Sequence, residues 1–290
     1  MNVYEIVTTR ILDQLQKGTV PWRKPWSTIT AGPRNLITNK PYRGINVFLL
    51  GAHRFASPYF LTFKQALDRG GVVKKGERGC PIVFWKWRDN EEDSAAESEH
   101  ERKPAAPLLR YYTVFNVEQC EGVPSPAVET RRPFEPLPEC ERVVRAMPNP
   151  PRLEHQGTQA FYRPSTDTVT LPPPERFNSR ELYYSTLLHE LTHSTGHESR
   201  LARKGITDAV LFGSHEYSRE ELVAEMGAAF ICGHCGIDAA TLTESTSYIA
   251  GWLQALQNDT RMVVLAAAQA QKAADLILGH AEAPAVERAA

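Results

Sequence analysis

The chain has 290 residues, with 33 Lys and Arg against 34 Asp and Glu and 42% apolar residues. That length suits two domains of ordinary size, and no apolar run approaches the roughly 20 residues needed to span a bilayer. No charged-then-apolar leader follows Met1, and five scattered cysteines (80, 120, 140, 232 and 235) suit a reducing cytoplasm better than a disulfide framework.

Val3, Ile6, Val7, Ile11 and Leu15 fall on one helical face, so the chain opens with an amphipathic helix that packs on its own domain. Residues 20–26 carry Pro21 and Pro25 among Trp22, Arg23, Lys24 and Trp26, and the prolines hold this stretch extended. Residues 35–46 continue in the same style. A short helix is predicted over 60–67, then a basic, glycine-punctuated turn over 70–79. Residues 81–87 alternate as a strand, and residues 110–117 are its expected partner.

Charge separates this half from the rest. Residues 1–88 hold fifteen Lys and Arg against four Asp and Glu, a net of +11, interleaved with Trp and Tyr. Cations track a phosphate backbone while aromatic faces stack on unpaired bases, which is the profile of a single-stranded-DNA binder. The candidates are Trp22, Trp26 and Tyr42 for stacking, with Tyr59 beside them, and Lys40, Arg43, Asn46, Lys64, Lys74, Lys75 and Arg78 for the backbone. The competing reading is a basic domain whose aromatics all lie in its core. Residues 89–103 form an acidic, apolar-poor insertion expected to be a solvated loop, and competition with DNA for the basic face is a role open to it. Pro124, Pro126, Pro133 and Pro136 place an interdomain linker at 124–137.

The second half opens with a short helix around 139–146 and a hairpin that pairs 160–162 with 168–171. Pro172, Pro173 and Pro174 end the hairpin. An edge strand of this kind can accept an extended peptide. Residues 187–193, Leu-Leu-His-Glu-Leu-Thr-His, contain H-E-x-x-H on a predicted helix. Positions four apart share a helical face, so His189 and His193 can hold one metal, and Glu190 can take a proton from a water there. Gly196 is the expected helix stop. His197 lies beyond it, at a spacing that does not serve as a third ligand. Residues 219–230 predict a second helix in which Glu221 and Glu225 stand one turn apart. Glu221 is the expected third ligand and Glu225 the carboxylate that fixes a ligand imidazole; Glu220 and Glu225 stay open as alternative ligands. The order E-x-x-A-E is similar to the glutamate helix of gluzincin metallopeptidases. Tyr217 and His215 precede it and are more readily structural than catalytic. Cys232 and Cys235 mark the small-residue end of the helix, and two further helices close the chain.

Taken together, residues 21–26, 35–46, 62–65 and 75–79 resemble the N-terminal domain shared by the ArdC family of plasmid antirestriction proteins and TraC-type plasmid primases. Residues 183–196, 200–201, 217–230 and 248–253 resemble the second half of the same family. The resemblance implies an α+β chain: a single-stranded-DNA-binding domain over 1–123 and a zincin-like, gluzincin-type domain over 138–290. It also implies protection of incoming plasmid DNA from host restriction during conjugation. The acidic insertion has no counterpart in it.

Two functions follow. In one, His189, His193 and Glu221 hold zinc or another divalent metal, and Glu190 is general base for cleaving a peptide bond in a protein met on DNA, such as a restriction component. In the other, DNA coating alone protects and the metal only stabilises the fold. Decoy mimicry of DNA needs an acidic face, and the +11 half argues against it.

Overall fold

The computed structural model describes residues 2–17, 20–22, 32–53, 55–86, 108–124, 126, 136–208, 215–237 and 246–280. Trp26, the acidic insertion and most of the proline-rich linker lie outside the described residues.

Helix α1 (Val3–Gln16) starts at a reciprocal cap in which the Glu5 amide donates to Asn2 Oδ1 (2.9 Å) and the Asn2 amide donates to Glu5 Oε2 (2.8 Å). Its apolar face buries Val7, Ile11 and Leu15, as the spacing predicts. There follow β1 (Arg34–Asn35), α2 (Ile45–Gly51), β2 (Tyr59–Leu61), α3 (Phe63–Asp68), β3 (Val72–Val73), β4 (Cys80–Lys86), β5 (Leu108–Asn116) and β6 (Cys120–Glu121). One sheet has the order β1-β2-β5-β4, with β1 and β2 parallel and the other pairs antiparallel; β3 and β6 form a separate antiparallel pair. The β4–β5 pairing is the one the alternation predicts, with Cys80 opposite Val114 and Val83 opposite Tyr111. Residues 60–67 divide instead of forming one helix. Phe60 and Leu61 join the sheet, and α3 begins only at Phe63, because Thr62 and Gln65 close a capping box that sets the helix start.

The second half comprises α4 (Pro136–Ala146), β7 (Arg152–His155), β8 (Phe161–Arg163), β9 (Thr168–Leu171), α5 (Arg180–Ser194), α6 (Lys204–Thr207), α7 (His215–Cys235), α8 (Thr246–Asn258) and α9 (Met262–Ile277). Its sheet has the order β7-β9-β8, with β8 and β9 the expected hairpin and β7 added parallel to β9. Asp167 turns the hairpin in the left-handed region (φ 46°). There it accepts from Tyr162 Oη at 2.8 Å and pairs with Arg200, which also donates to Ser194 O at 2.7 Å and so ties the hairpin to the end of α5. Helix α7 packs on both α5 and α9. At the α5–α7 crossing, a Cβ on Gly227 would stand 2.5 Å from Thr192 Cγ2, so only glycine lets the helices approach this closely. Cys232 and Cys235 are buried thiols at the end of α7, and all five cysteines are buried thiols outside any disulfide.

The two halves are joined by more than a linker. One apolar cluster contains Val7, Ile11, Trp22 and Phe48 from the first half and Met226, Phe230, Trp252 and Met262 from the second. Phe48 stacks on Phe230 with ring centroids 4.9 Å apart, and Trp22 meets Trp252 edge-on at 5.9 Å. Thr8 Oγ1 donates to Thr260 O (2.6 Å), and the Gly44 amide donates to Gln271 Oε1 (3.0 Å). The small first sheet cannot cover the apolar faces of α1 and α2 as well, so those helices complete their burial on α7, α8 and α9. Among the described residues, no helix is long and apolar enough to cross a membrane.

Candidate metal centre

From Tyr183 onward, all but one residue of α5 are buried, so its serine and threonine hydroxyls must find partners inside the helix. They do: Thr186 and Thr192 donate to the carbonyls four residues back, at 2.8 and 2.7 Å, and Ser194 to the carbonyl three back, at 2.7 Å. On the face toward α7, His189 and His193 stand with ring centroids 4.8 Å apart and planes at 81°. Glu221 completes the group. Its Oε2 is 3.7 Å from His189 Nε2 and its Oε1 is 3.5 Å from His193 Nε2. One donor atom from each of the three residues lies within 4.8 Å of the others. Two imidazole nitrogens and one carboxylate oxygen converging this way are a donor set that fits a divalent cation and leaves coordination positions for water.

Behind these donors lies a buried support. Glu220 Oε1 is 3.3 Å from His193 Nδ1, and both Glu220 oxygens accept from Arg203 (Nε to Oε2, 3.0 Å). Arg203 also donates to Thr192 O at 2.8 Å and to Thr195 Oγ1. A bidentate guanidinium–carboxylate pair of this kind fixes both partners in orientation. Spacing assigns the task of holding an imidazole to Glu225; for His193 the structure gives it to Glu220. Glu225 is buried on the same helix, one turn past Glu221. Neighbouring residues on a helix point about 100° apart, so Glu221 meets the Nε2 atoms of both histidines while Glu220 meets the back of the His193 ring at Nδ1. Arg203 is the partner that sequence reasoning missed, since nothing in its spacing announces where α6 folds back.

Electrostatics follow from burial and these partners. Burial, reinforced by His193, lowers the His189 pKa to about 3. Burial works against charge on His193 too, but its Glu220 hydrogen bond and the charges of Glu221 and Glu190 outweigh it and raise its pKa to about 9. Burial raises Glu190 to about 7, with the Glu221 charge adding to it, while His193 and a hydrogen bond from the Tyr162 backbone act the other way. That hydrogen bond places the edge strand β8 against the carboxyl group. The Tyr217 hydroxyl is hydrogen-bonded to Glu221, and burial and that carboxylate push its pKa up to about 12.

The residues expected to touch DNA divide differently. Trp22 is 0% exposed against Trp252, and Tyr42 is buried with its ring edge-on to Phe60 at 6.4 Å. Neither presents a face for stacking, which corrects the expectation for both. Asn46 is also buried: its side chain donates to Val83 O (2.8 Å) and accepts from Val83 N (2.7 Å), closing the outer edge of β4 as another strand would. Arg43 pairs with Asp275 of α9, and Lys74 Nζ donates to Glu118 O at 2.8 Å. Lys40, Lys64, Lys75 and Arg78 are exposed. Among the described residues the exposed aromatics are others: Phe63, Tyr111 and Tyr112.

An H-E-x-x-H helix facing a glutamate helix, with a small mixed sheet at its side, defines a zincin-like metallopeptidase domain, and residues 138–269 match the family of that description. Residues 1–115 match the N-terminal domain of the anti-restriction factor ArdC. The chain belongs to the ArdC family of antirestriction proteins. The crystal structure of antirestriction protein ArdC from plasmid R388 in its metal-free form is 34% identical, with a TM-score of 0.76 over 97% of this chain and 98% of that one. Its Mn(II)-bound form is 33% identical, with a TM-score of 0.75 and the same coverage. DNA primase TraC of Escherichia coli is 36% identical over 294 residues, 95% of this chain; the chain spans only 27% of that protein's length.

Proposed function

We propose that this chain protects incoming plasmid DNA during conjugation by binding it as a single strand and by hydrolysing peptide bonds in a restriction component met there. The observation that carries the hydrolytic half is the convergence of His189, His193 and Glu221 beside buried Glu190. These three residues would hold zinc, or manganese as in the R388 relative. When bound, such a cation polarises a carbonyl and acidifies a water. Glu190, steadied by the Tyr162 amide and held near neutrality by burial, takes a proton from the attacking water and passes it to the departing amine. Strand β8 offers a free edge to an extended peptide. Arg203 and Glu220 keep the His193 ring in register, which leaves His189 as the imidazole for Glu225 to hold. The single-strand half rests on the +11 charge of residues 1–88 and on the exposed lysines and arginine there.

The test is antirestriction in a restriction-proficient recipient for wild type beside Glu190→Ala, with metal content measured on both. Loss of protection with metal retained supports hydrolysis. Full protection by Glu190→Ala overturns it and leaves DNA binding as the protective act, with the metal serving only the fold.

A further inference from the structure

With Trp22 and Tyr42 inside, the exposed aromatic surface among the described residues of the first half lies on β5 and at the start of α3. Successive residues of a strand point to opposite faces, so Tyr111, Thr113 and Phe115 line one face of β5. Phe63, at the first position of α3, meets Phe115 with ring centroids 6.3 Å apart and extends that row. Tyr111 is 51% exposed and Phe63 52%, Thr113 is exposed and Phe115 half-buried. Soluble proteins seldom leave aromatic rings in a row so open without a use for them. Gly79 keeps the row open: a Cβ there would stand 2.2 Å from Thr113 Cγ2 and 3.1 Å from the Phe115 ring. Its chain neighbour Arg78 is exposed, as is Lys64, the residue after Phe63, so the segments that border the row each carry an exposed cation.

We propose that the Phe63–Phe115–Thr113–Tyr111 face is the platform on which a single strand lies, its bases on Phe63 and Tyr111 and its phosphates against Lys64 and Arg78. This rests on the single-strand reading above and specifies where the strand sits. Four residues of strand separate Tyr111 from Phe115 by roughly 14 Å, so the two aromatic ends engage different bases, with small Thr113 leaving room between them. Stacking on an exposed ring is indifferent to base identity, so the platform selects unpaired strands over duplex and not one sequence over another. The opposite face of β5 does not take part, since Val114 and Asn116 on it are buried in the core and Tyr112 packs edge-on to Phe84 at 5.9 Å.

The experiment is fluorescence anisotropy of a labelled oligothymidine with the full chain. Wild type is set beside Phe63→Ala, Tyr111→Ala and Tyr111→Phe, and each is repeated with unlabelled duplex as competitor. Each alanine variant should weaken binding about tenfold or more, because a stacked base is lost. Tyr111→Phe should bind within a factor of two of wild type, since the ring and not the hydroxyl makes the contact (~1 order of magnitude separates the two outcomes). All three should melt as wild type does, because the replaced side chains are exposed. Wild-type affinity in both alanine variants, with wild type itself binding, removes the platform and leaves the single-strand reading standing. A wild-type chain that binds no single strand, or that duplex displaces as well as single strand, removes both.

Discussion

The metal centre and the basic face treat charge in opposite ways. Around His193 the acids are inside and paired: Glu220 sits between an imidazole and a buried guanidinium, and Glu221 between two histidines. In the first half the cations stand outside, and Lys40, Lys64, Lys75 and Arg78 face solvent. Residues 89–290 hold the remaining 18 Lys and Arg and 30 Asp and Glu, so the opposite charges of the two halves nearly cancel in the total. The difference teaches how each site works. A metal needs donors fixed before it arrives, and fixing them needs burial; a flexible polyanion needs charges that reach into water.

The comparison can be broken hardest at its buried end. Glu220→Ala leaves Arg203 charged and without its carboxylate inside the protein, and should cost about 3–5 kcal/mol of stability. Glu220→Gln, which keeps a hydrogen-bond acceptor for Arg203, should cost less, and urea unfolding of the two variants checks the order. Trp22→Ala should cost a similar ~3–5 kcal/mol through a cavity against Trp252. Because the core is continuous, calorimetry of that variant should show one lowered transition and not a separately melting first half; two transitions would restore the picture of independent modules.

Replacing His189, His193 or Glu221 by Ala should each lower affinity for zinc or manganese by more than ~100-fold, read by isothermal titration, since removing a donor exceeds the cost of disturbing its support. The loss should leave DNA affinity close to wild type. Asp167→Asn tests the hairpin tie. Burial raises the Asp167 pKa, but hydrogen bonds from Arg200 and Tyr162 outweigh it and hold the carboxyl below its usual value. The tie therefore contributes its full stability above the unfolded carboxyl's pKa and loses it as pH falls through the lower folded value. Asp167→Asn should be less stable than wild type by about 2 kcal/mol at neutral pH, and the two should converge in strong acid. The smallest effect belongs to the exposed cations: Lys64→Ala or Arg78→Ala should each flatten the salt dependence of single-strand binding by about 0.7 in log–log slope.

Periodicity carried both halves far. Four-residue spacing is a local geometric property of a helix, so His189 and His193 had to share a face once α5 formed, and the alternation over 81–87 and 110–117 had to bring β4 to β5. The family resemblance rested on local motifs of the same kind. Other assignments needed the assembled molecule. Whether Trp22 faces water or Trp252 depends on a helix 230 residues further along, and Asn46 is identified as an edge closure only when β4 is in place beside it. Glu220 and Glu221 are chemically alike neighbours, and the crossing of α5 over α7 at Gly227, with Arg203 beside it, decides which meets the two histidine Nε2 atoms and which joins His193 Nδ1 to the guanidinium. Residue type and local period are written in the chain itself, but exposure is a property of what the rest of the chain packs against, and only the tertiary structure decides it.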